Sequence, residues 1–272
     1  MTSTNRPVAL VTGASSGIGK AAALALVEAG YRVAGTSRDA SKVAPLGDVT
    51  FIDLDVANDE SVTTAVGQVI ERFGRIDVLV NNAGFGSGGA AEESSTAQDQ
   101  RVFDINVFGV IRMTKAVLPH MRAQRSGRIV NISSIVGFIP VPYMAVYAAS
   151  KHAVEGYSES LDHEVREHGV RVVLVEPAWT NTAFEANSAQ PDQPLPVYAQ
   201  HRRAFDQRVA AAVKNGDDPA VVAKAIVAAA TDAKPKLRYP AGSLTGRVHM
   251  LRRFAPSRIF DQQIRKLNEL PA

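Results

Sequence analysis

The chain has 272 residues, 46% hydrophobic and 21% charged, which is enough apolar content for one large buried core. Cysteine is absent, excluding disulfides, thiolate metal sites and cysteine nucleophiles, and no metal site is expected. The net charge of +3 is unevenly spread: residues 236–272 hold eight Lys/Arg against Asp261 and Glu269, a balance of +6 that leaves −3 for the rest.

Residues 1–6 are polar with no apolar stretch behind them, and the first apolar run is too short to cross a bilayer. The expectation is a cytoplasmic protein without an integral membrane segment. No stretch resembles a nucleic-acid motif, and the basic tail reads as a solvated helix face before it reads as a patch for an anionic partner. With no internal repeat, low-complexity tract or linker, residues 1–272 read as one domain.

Pro7 to Thr12 is a short apolar run bounded by turn formers, the pattern of a buried parallel strand. It leads into Thr12-Gly-Ala-Ser-Ser-Gly-Ile-Gly19 and an alanine-rich helix over 20–29 closed by Gly30. Strand, glycine-rich turn and helix make a phosphate site. The glycines let backbone approach a pyrophosphate, and the helix N-terminus offers free N–H groups and positive dipole. The spacing is Gly-x-x-x-Gly-x-Gly and not the commoner Gly-x-Gly-x-x-Gly.

The next strand, Tyr31 to Arg38, ends in Ser37-Arg38, where a dinucleotide fold often has an acid for the ribose 2′-hydroxyl. Arg38 offers a planar fork suited to a phosphate and Ser37 a neutral hydrogen bond, which favours NADP(H) over NAD(H). A third strand over 49–56 carries Asp55 at its end, near where an adenine edge would lie. A helix over 59–73 stops at Gly74, and a fourth strand over 76–80 ends in Asn81-Asn-Ala-Gly84. Small residues there allow close passage of a ribose, and Asn81 is placed to hydrogen-bond backbone groups of neighbouring strands.

Residues 85–95 read as a loop and about 98–124 as one long helix. Asn106 lies inside that helix, where an amide is costly to bury unless satisfied; taken alone it reads as structural. A fifth strand over 127–133 brings Ser134 to a strand end. The helix over about 145–168 opens with Tyr147 and Lys151, four apart and so on one face. A free phenol has a pKa of about 10, and a fixed cation beside it favours phenolate and brings that value towards neutrality. Ser134 is placed to hold a substrate oxygen while the tyrosine passes a proton.

A sixth strand over 170–175 continues into Glu176-Pro-Ala-Trp-Thr-Asn-Thr-Ala-Phe184, whose hydroxyls suit a nicotinamide carboxamide. Residues 185–197 read as a mobile loop. Helices over about 198–214 and 218–233 and a short strand at 236–239 complete the pattern. Strands alternating with helices give an α/β fold with a parallel sheet covered on both faces, and ligands bind such sheets at the carboxyl ends of the strands. Gly13, Ser37, Asp55, Asn81, Ser134 and Pro177 all fall at or just past predicted strand ends.

Those motifs together, with Tyr147-Ala-Ala-Ser-Lys151 and Pro177 to Thr182, resemble the short-chain dehydrogenase/reductase family in order and spacing from the first strand through Phe184. The resemblance implies a Rossmann-type doubly wound sheet of order 3-2-1-4-5-6-7 in one NADP-binding domain. About 185–235 would then be substrate-loop helices and 241–272 a basic C-terminal extension. It implies cofactor contacts from Gly13, Ser15, Ser16, Gly17, Ile18, Gly19, Ser37, Arg38, Asp55, Val56, Asn82, Ala83, Gly84, Tyr147, Lys151, Pro177, Thr180 and Thr182. By the same resemblance Tyr147 is the general acid/base, Ser134 the carbonyl holder and Lys151 the ribose contact that lowers the phenol's pKa. Asn106 changes from a structural residue to the anchor of a water-linked proton relay. One departure is Pro177-Ala178, where the family usually has Pro-Gly, which puts that loop's geometry in question.

The implied activity is reversible carbonyl reduction with NADP(H) on a small molecule. Phe138, Tyr143, Trp179 and Phe184, beside Ser134 and Tyr147, would give an apolar, roomy substrate cleft. The stretch from Val154 to Leu161 resembles the hydroxysteroid- and retinol-type branch. Family tetramers pack near the last strand, where the long tail could block a surface, so homodimer and homotetramer are both expected. Two other readings stand beside this one: a ketoacyl thioester reductase whose basic tail docks an acidic carrier, and a non-enzymatic NADPH sensor.

Overall fold

The computed structural model describes residues 6–270; residues 1–5 and 271–272, at the two ends of the expected domain, lie outside the described residues. Seven strands build one sheet: β1 (Val8–Val11), β2 (Arg32–Ser37), β3 (Val49–Asp53), β4 (Val78–Asn81), β5 (Gly127–Ile132), β6 (Val170–Pro177) and β7 (Arg238–Ala241). Their order is β3-β2-β1-β4-β5-β6-β7, and every neighbouring pair is parallel. The strands are rich in β-branched residues and buried on both faces, which is why they read as unbroken apolar runs in the sequence.

Nine helices are described: α1 (Gly17–Glu28), α2 (Asp59–Phe73), α3 (Thr96–Phe103), α4 (Gly109–Gln124), α5 (Ala145–Val165), α6 (Ala199–Lys214), α7 (Pro219–Thr231), α8 (Ser243–Phe254) and α9 (Ser257–Leu267). Side chains alternate across the sheet, so Val8 and Leu10 point one way and Ala9 and Val11 the other. The first face packs on α2, α4 and α5 through Val66, Met113, Val117 and Leu161; the second packs on α1 and α7 through Ala22, Ala23, Ile226 and Ala229. The alanines explain the low aromatic content, since helices this close to a sheet leave little room for rings.

Local chemistry sets the boundaries. Asn58 caps α2 by accepting from the Ser61 amide at 2.8 Å, and Gly74 ends it at φ 81°. Asp218 accepts from the Ala220 amide at 2.7 Å, with Pro219 opening α7. The last strand sits two residues later than expected and contains Pro240, tolerated because β7 is an edge paired only with β6.

Three further features differ from the sequence reading. The long helix expected over 98–124 is interrupted by a π-helical turn at Asp104–Phe108, between α3 and α4. The segment read as mobile, 185–197, is pinned: Asp192 accepts from the Ser95 amide at 2.7 Å and from its hydroxyl at 2.6 Å, and buried Glu93 accepts from the Leu195 amide at 2.8 Å. The basic tail is not wholly solvated either, since half-buried Arg238 is enclosed by Glu155, Glu159 and Glu176.

Candidate active site

A cleft of about 990 Å³ opens along the carboxyl edge of the sheet, where the strand order reverses between β1 and β4. Of the site residues expected from the sequence, all line it except Gly19, Asn106, Phe138 and Tyr143. One end is built by the glycine turn. Gly13 and Gly17 stand at φ 65° and 53°, conformations that L side chains rarely adopt. Thr12 ties the turn to β4's end: its hydroxyl accepts from the amides of Asn82 at 3.0 Å and Ala83 at 2.9 Å. The Asn82 side chain returns to the carbonyls of Thr12 at 2.9 Å and Gly13 at 3.2 Å. Gly19 is held beneath this turn, where a Cβ would collide with the Gly13 carbonyl oxygen. No acid lies in the first turn of α1, so its N-terminal amides face the cleft unopposed, a cradle for a diphosphate.

The middle of the cleft is served by β5 and α5. Ser134 follows β5, its hydroxyl accepting from the Val136 amide at 3.3 Å. Tyr147 and Lys151 occupy the first turns of α5, both buried. Lys151 donates to the Ile132 carbonyl at 2.8 Å and lies 5.7 Å from the Tyr147 ring centre. Burial pushes the Tyr147 phenol above its usual range, the Glu185 charge adds to this, and a hydrogen bond with Ser134 opposes it. Burial pulls Lys151 down to about 8, with Glu155 working the other way. Lys151 is expected to bring the phenol towards neutrality; in the protein alone desolvation is the largest influence on both groups, and the phenol lies above its usual range.

Asn106 sits in the π turn, and such turns recur at functional positions in helices. Its amide accepts from the Phe85 N–H at 3.0 Å and donates to the Phe85 carbonyl at 2.9 Å and the Ser150 hydroxyl at 3.2 Å. The side chain is thus a clasp that holds the strand-like segment after Gly84 against α5.

The other end of the cleft has Met144, Trp179 and Phe184 in its wall, with Glu185 and Asn187 beside them. Phe138 and Tyr143, expected beside them, face away. Phe138 stacks on His249 of α8 at 3.7 Å, and Tyr143, at φ 65°, leans on Phe205 of α6 at 5.7 Å. Both belong to the cluster that seats the C-terminal helices. The Pro177-Ala178 departure is harmless: among the described residues the non-glycine positions at positive φ are Arg125, Tyr143 and Glu269, so Ala178 needs no glycine.

Two polar groupings were not visible in the sequence. Asn81 donates to the side chain of Asn131 at 2.9 Å, not to a strand backbone, and Asn131 donates to Ser158 at 2.8 Å, all three buried. Behind Ser134, buried Glu155 and Glu176 share Arg238, and Glu176 meets His249 at 2.6 Å. Burial, with the Glu176 charge behind it, raises Glu155 to about 7. The outward sign of this group is a pair of acids, Glu155 four residues after Lys151 and Glu176 just before Pro177, with nothing in the sequence to name their partners.

The short chain dehydrogenase family model matches residues 7–193. A 3-ketodihydrosphingosine reductase from Bacteroides thetaiotaomicron is 49% identical over 180 residues, 66% of this chain and 66% of that protein, just under two thirds of its length. Among solved structures, a short-chain dehydrogenase from Streptomyces avermitilis aligns with a TM-score of 0.81 at 37% identity, over 92% of this chain and 95% of its own. A short chain dehydrogenase/reductase from Burkholderia phymatum in complex with NAD aligns at 0.79 and 28% identity over 92% and 94%. ElxO with NADP bound aligns at 0.72 and 27% identity over 88% and 99%. The chain belongs to the short-chain dehydrogenase family of oxidoreductases.

Proposed function

We propose that the protein is an NADP(H)-dependent oxidoreductase that interconverts a carbonyl and an alcohol on a bulky apolar substrate, with long-chain lipid ketones as the leading class. The observation that carries this reading is the meeting of Ser134, Tyr147 and Lys151 in the middle of a cleft that is glycine-lined at one end and walled by Met144, Trp179 and Phe184 at the other. The name of the Bacteroides relative supports the lipid ketone.

The residues present fit a dinucleotide. The turn at Gly13–Gly19 and the N-terminus of α1 would hold the diphosphate, Asp55 and Val56 the adenine side, Asn82 to Gly84 and Lys151 the riboses, and Pro177, Thr180 and Thr182 the carboxamide. The phosphate form is favoured by Arg38, which with Ser37 lines a side hollow of about 420 Å³ next to Ser15; Lys42 in the same hollow is paired with Asp39 at 2.7 Å. When bound, the nicotinamide supplies or accepts the hydride.

The chain's own part is position and proton. Ser134 and Tyr147 hold the carbonyl oxygen by two hydrogen bonds and so draw charge towards it as the bond order falls. Tyr147, kept protonated by burial, donates its proton to the forming alkoxide. Lys151 supplies positive charge beside the phenolate left behind and is anchored for that by the Ile132 carbonyl. Trp179, Phe184 and Met144 exclude water from the reacting centre.

The test follows NADPH oxidation against 3-ketodihydrosphingosine, a steroid ketone, an acetoacetyl thioester and a small ketone. Turnover confined to the bulky apolar members is expected. Tyr147→Phe should lower kcat by about 10²-fold or more while NADPH binds nearly as before. Near-normal turnover in that variant, or preference for the small ketone, would refute the assignment.

A further inference from the structure

The C-terminal helices carry an apolar face turned the wrong way. Inward, Val248 of α8 and Phe260 and Ile264 of α9 pack on the cluster that also contains Tyr147, Trp179 and Phe184. Thr245 is fully buried on the same side of α8, and His249 reaches Glu176. Outward, Arg247, Met250, Leu251 and Phe254 follow the i, i+3, i+4, i+7 spacing of one helix face. Met250 is 61% exposed, Leu251 42% and Phe254 68%. Three large apolar side chains together in water over one turn of helix mark an interaction surface rather than scattered surface residues.

The surrounding charge selects the partner. Arg247 lies in the stripe itself, and the Arg253 guanidinium stands 5.6 Å from the Phe254 ring. α8 contains no acid; α9 carries exposed Arg258 and Lys266 against one exposed acid, Asp261, and Glu269 is paired with Arg208. A second copy meeting the same face would set arginine against arginine. An anionic bilayer answers both features: the apolar side chains enter the headgroup boundary while the guanidinium groups remain among phosphates. Among the described residues no helix is long and apolar enough to cross a membrane, so such an attachment lies flat on one leaflet.

We propose that the outer face of α8, Arg247–Met250–Leu251–Phe254, docks the protein on the surface of an anionic phospholipid bilayer. Docking through the outer face leaves the inner face of α8 seated on the cluster that includes Trp179 and Phe184 of the cleft wall.

Flotation of the purified protein with vesicles of phosphatidylcholine alone, or with about one third phosphatidylglycerol, tests this. Binding to the anionic vesicles is expected, weaker by about tenfold on neutral ones and similarly weakened at about 0.5 M salt. The double variant Met250→Gln, Phe254→Ser should lose about tenfold or more in vesicle affinity with an unchanged melting temperature, since both side chains are exposed. Arg247→Gln with Arg253→Gln should abolish the preference for anionic lipid. Absence of vesicle binding, undiminished binding by the apolar variant, or a dimer that the apolar variant dissociates without any lipid binding would each overturn the proposal. The readout is lipid binding, with no cofactor or turnover in the assay, so its failure is distinct from failure of the catalytic reading.

Discussion

Gly19→Ala is the sharpest probe of how the glycine turn is assembled. A Cβ at Gly19 would meet the Gly13 carbonyl oxygen and lie 2.5 Å from Asn82 Nδ2. Neither neighbour can yield cheaply. The Gly13 carbonyl belongs to a residue fixed at φ 65°, and the Asn82 amide is committed to the Thr12 and Gly13 carbonyls at 2.9 and 3.2 Å. Forcing them apart loses two neutral hydrogen bonds worth about 1 kcal/mol each and adds overpacking of about 1–3 kcal/mol. A total near 4 kcal/mol corresponds to about 10 °C in melting temperature for a chain of this size. The displaced backbone is also the diphosphate cradle, so NADPH affinity should fall by about tenfold or more. Denaturant unfolding and a fluorescence titration with NADPH measure the two effects. Gly67→Ala in α2 is the control: nothing lies within 4 Å of its Cβ position, and it should stabilise by about 0.5–1 kcal/mol. A Gly19→Ala protein that loses under about 1 kcal/mol and binds NADPH normally would show that the turn accommodates a methyl group and that the packing reasoning is wrong.

Two further outcomes follow from the cleft. Arg38→Gln should reduce kcat/KM for NADPH by about tenfold or more while leaving NADH little changed, as expected for loss of a charge-assisted contact to one phosphate; equal losses with both cofactors would remove Arg38 from that role. Lys151 is lowered from 10.5 to about 8, so across that window the unfolded chain binds a proton that the folded chain does not. Stability of the cofactor-free protein should therefore rise with pH through that interval, and Lys151→Met should flatten the rise; parallel slopes in urea unfolding would contradict the buried-lysine account.

How much of this was legible depended on distance along the chain. The turn at 12–19 and the cap residues Asn58 and Asp218 announce themselves because their partners are within a few positions. Ends of the central strands were legible because a fully buried parallel strand stops where apolar residues stop, whereas the third strand, read over 49–56, stops at Asp53 and the last was read two residues early. Phe138 and Tyr143 were misplaced because hydrophobicity marks a residue for burial without saying on which side; here α6 and α8, distant in sequence, claimed them. The pinning of 185–197 depends on Glu93 and Ser95, about a hundred positions away, and the π turn at Asp104–Phe108 inserts a residue into a helix with no breaker to signal it. Tyr147 and Lys151 were found by spacing, but their protonation balance was not, because desolvation is a property of everything packed around them.

The chain of side-chain hydrogen bonds from Asn81 through Asn131 to Ser158 bears on how the molecule reaches one structure and no other. Its members come from β4, β5 and α5, and each bond closes over 50 or 27 residues. In a dry interior an amide left without a partner costs about 1–3 kcal/mol, whereas apolar surfaces slide past one another at little cost. A sheet paired one residue out of register would turn Asn131 to the opposite face, and a rotated α5 would carry Ser158 away from it. The polar row therefore acts as a key cut into an otherwise greasy joint, penalising near-native arrangements that hydrophobic burial alone would tolerate. Its gain arrives only when both strands and the helix are seated, which ties docking of the helix bearing Tyr147 and Lys151 to correct assembly of the central sheet.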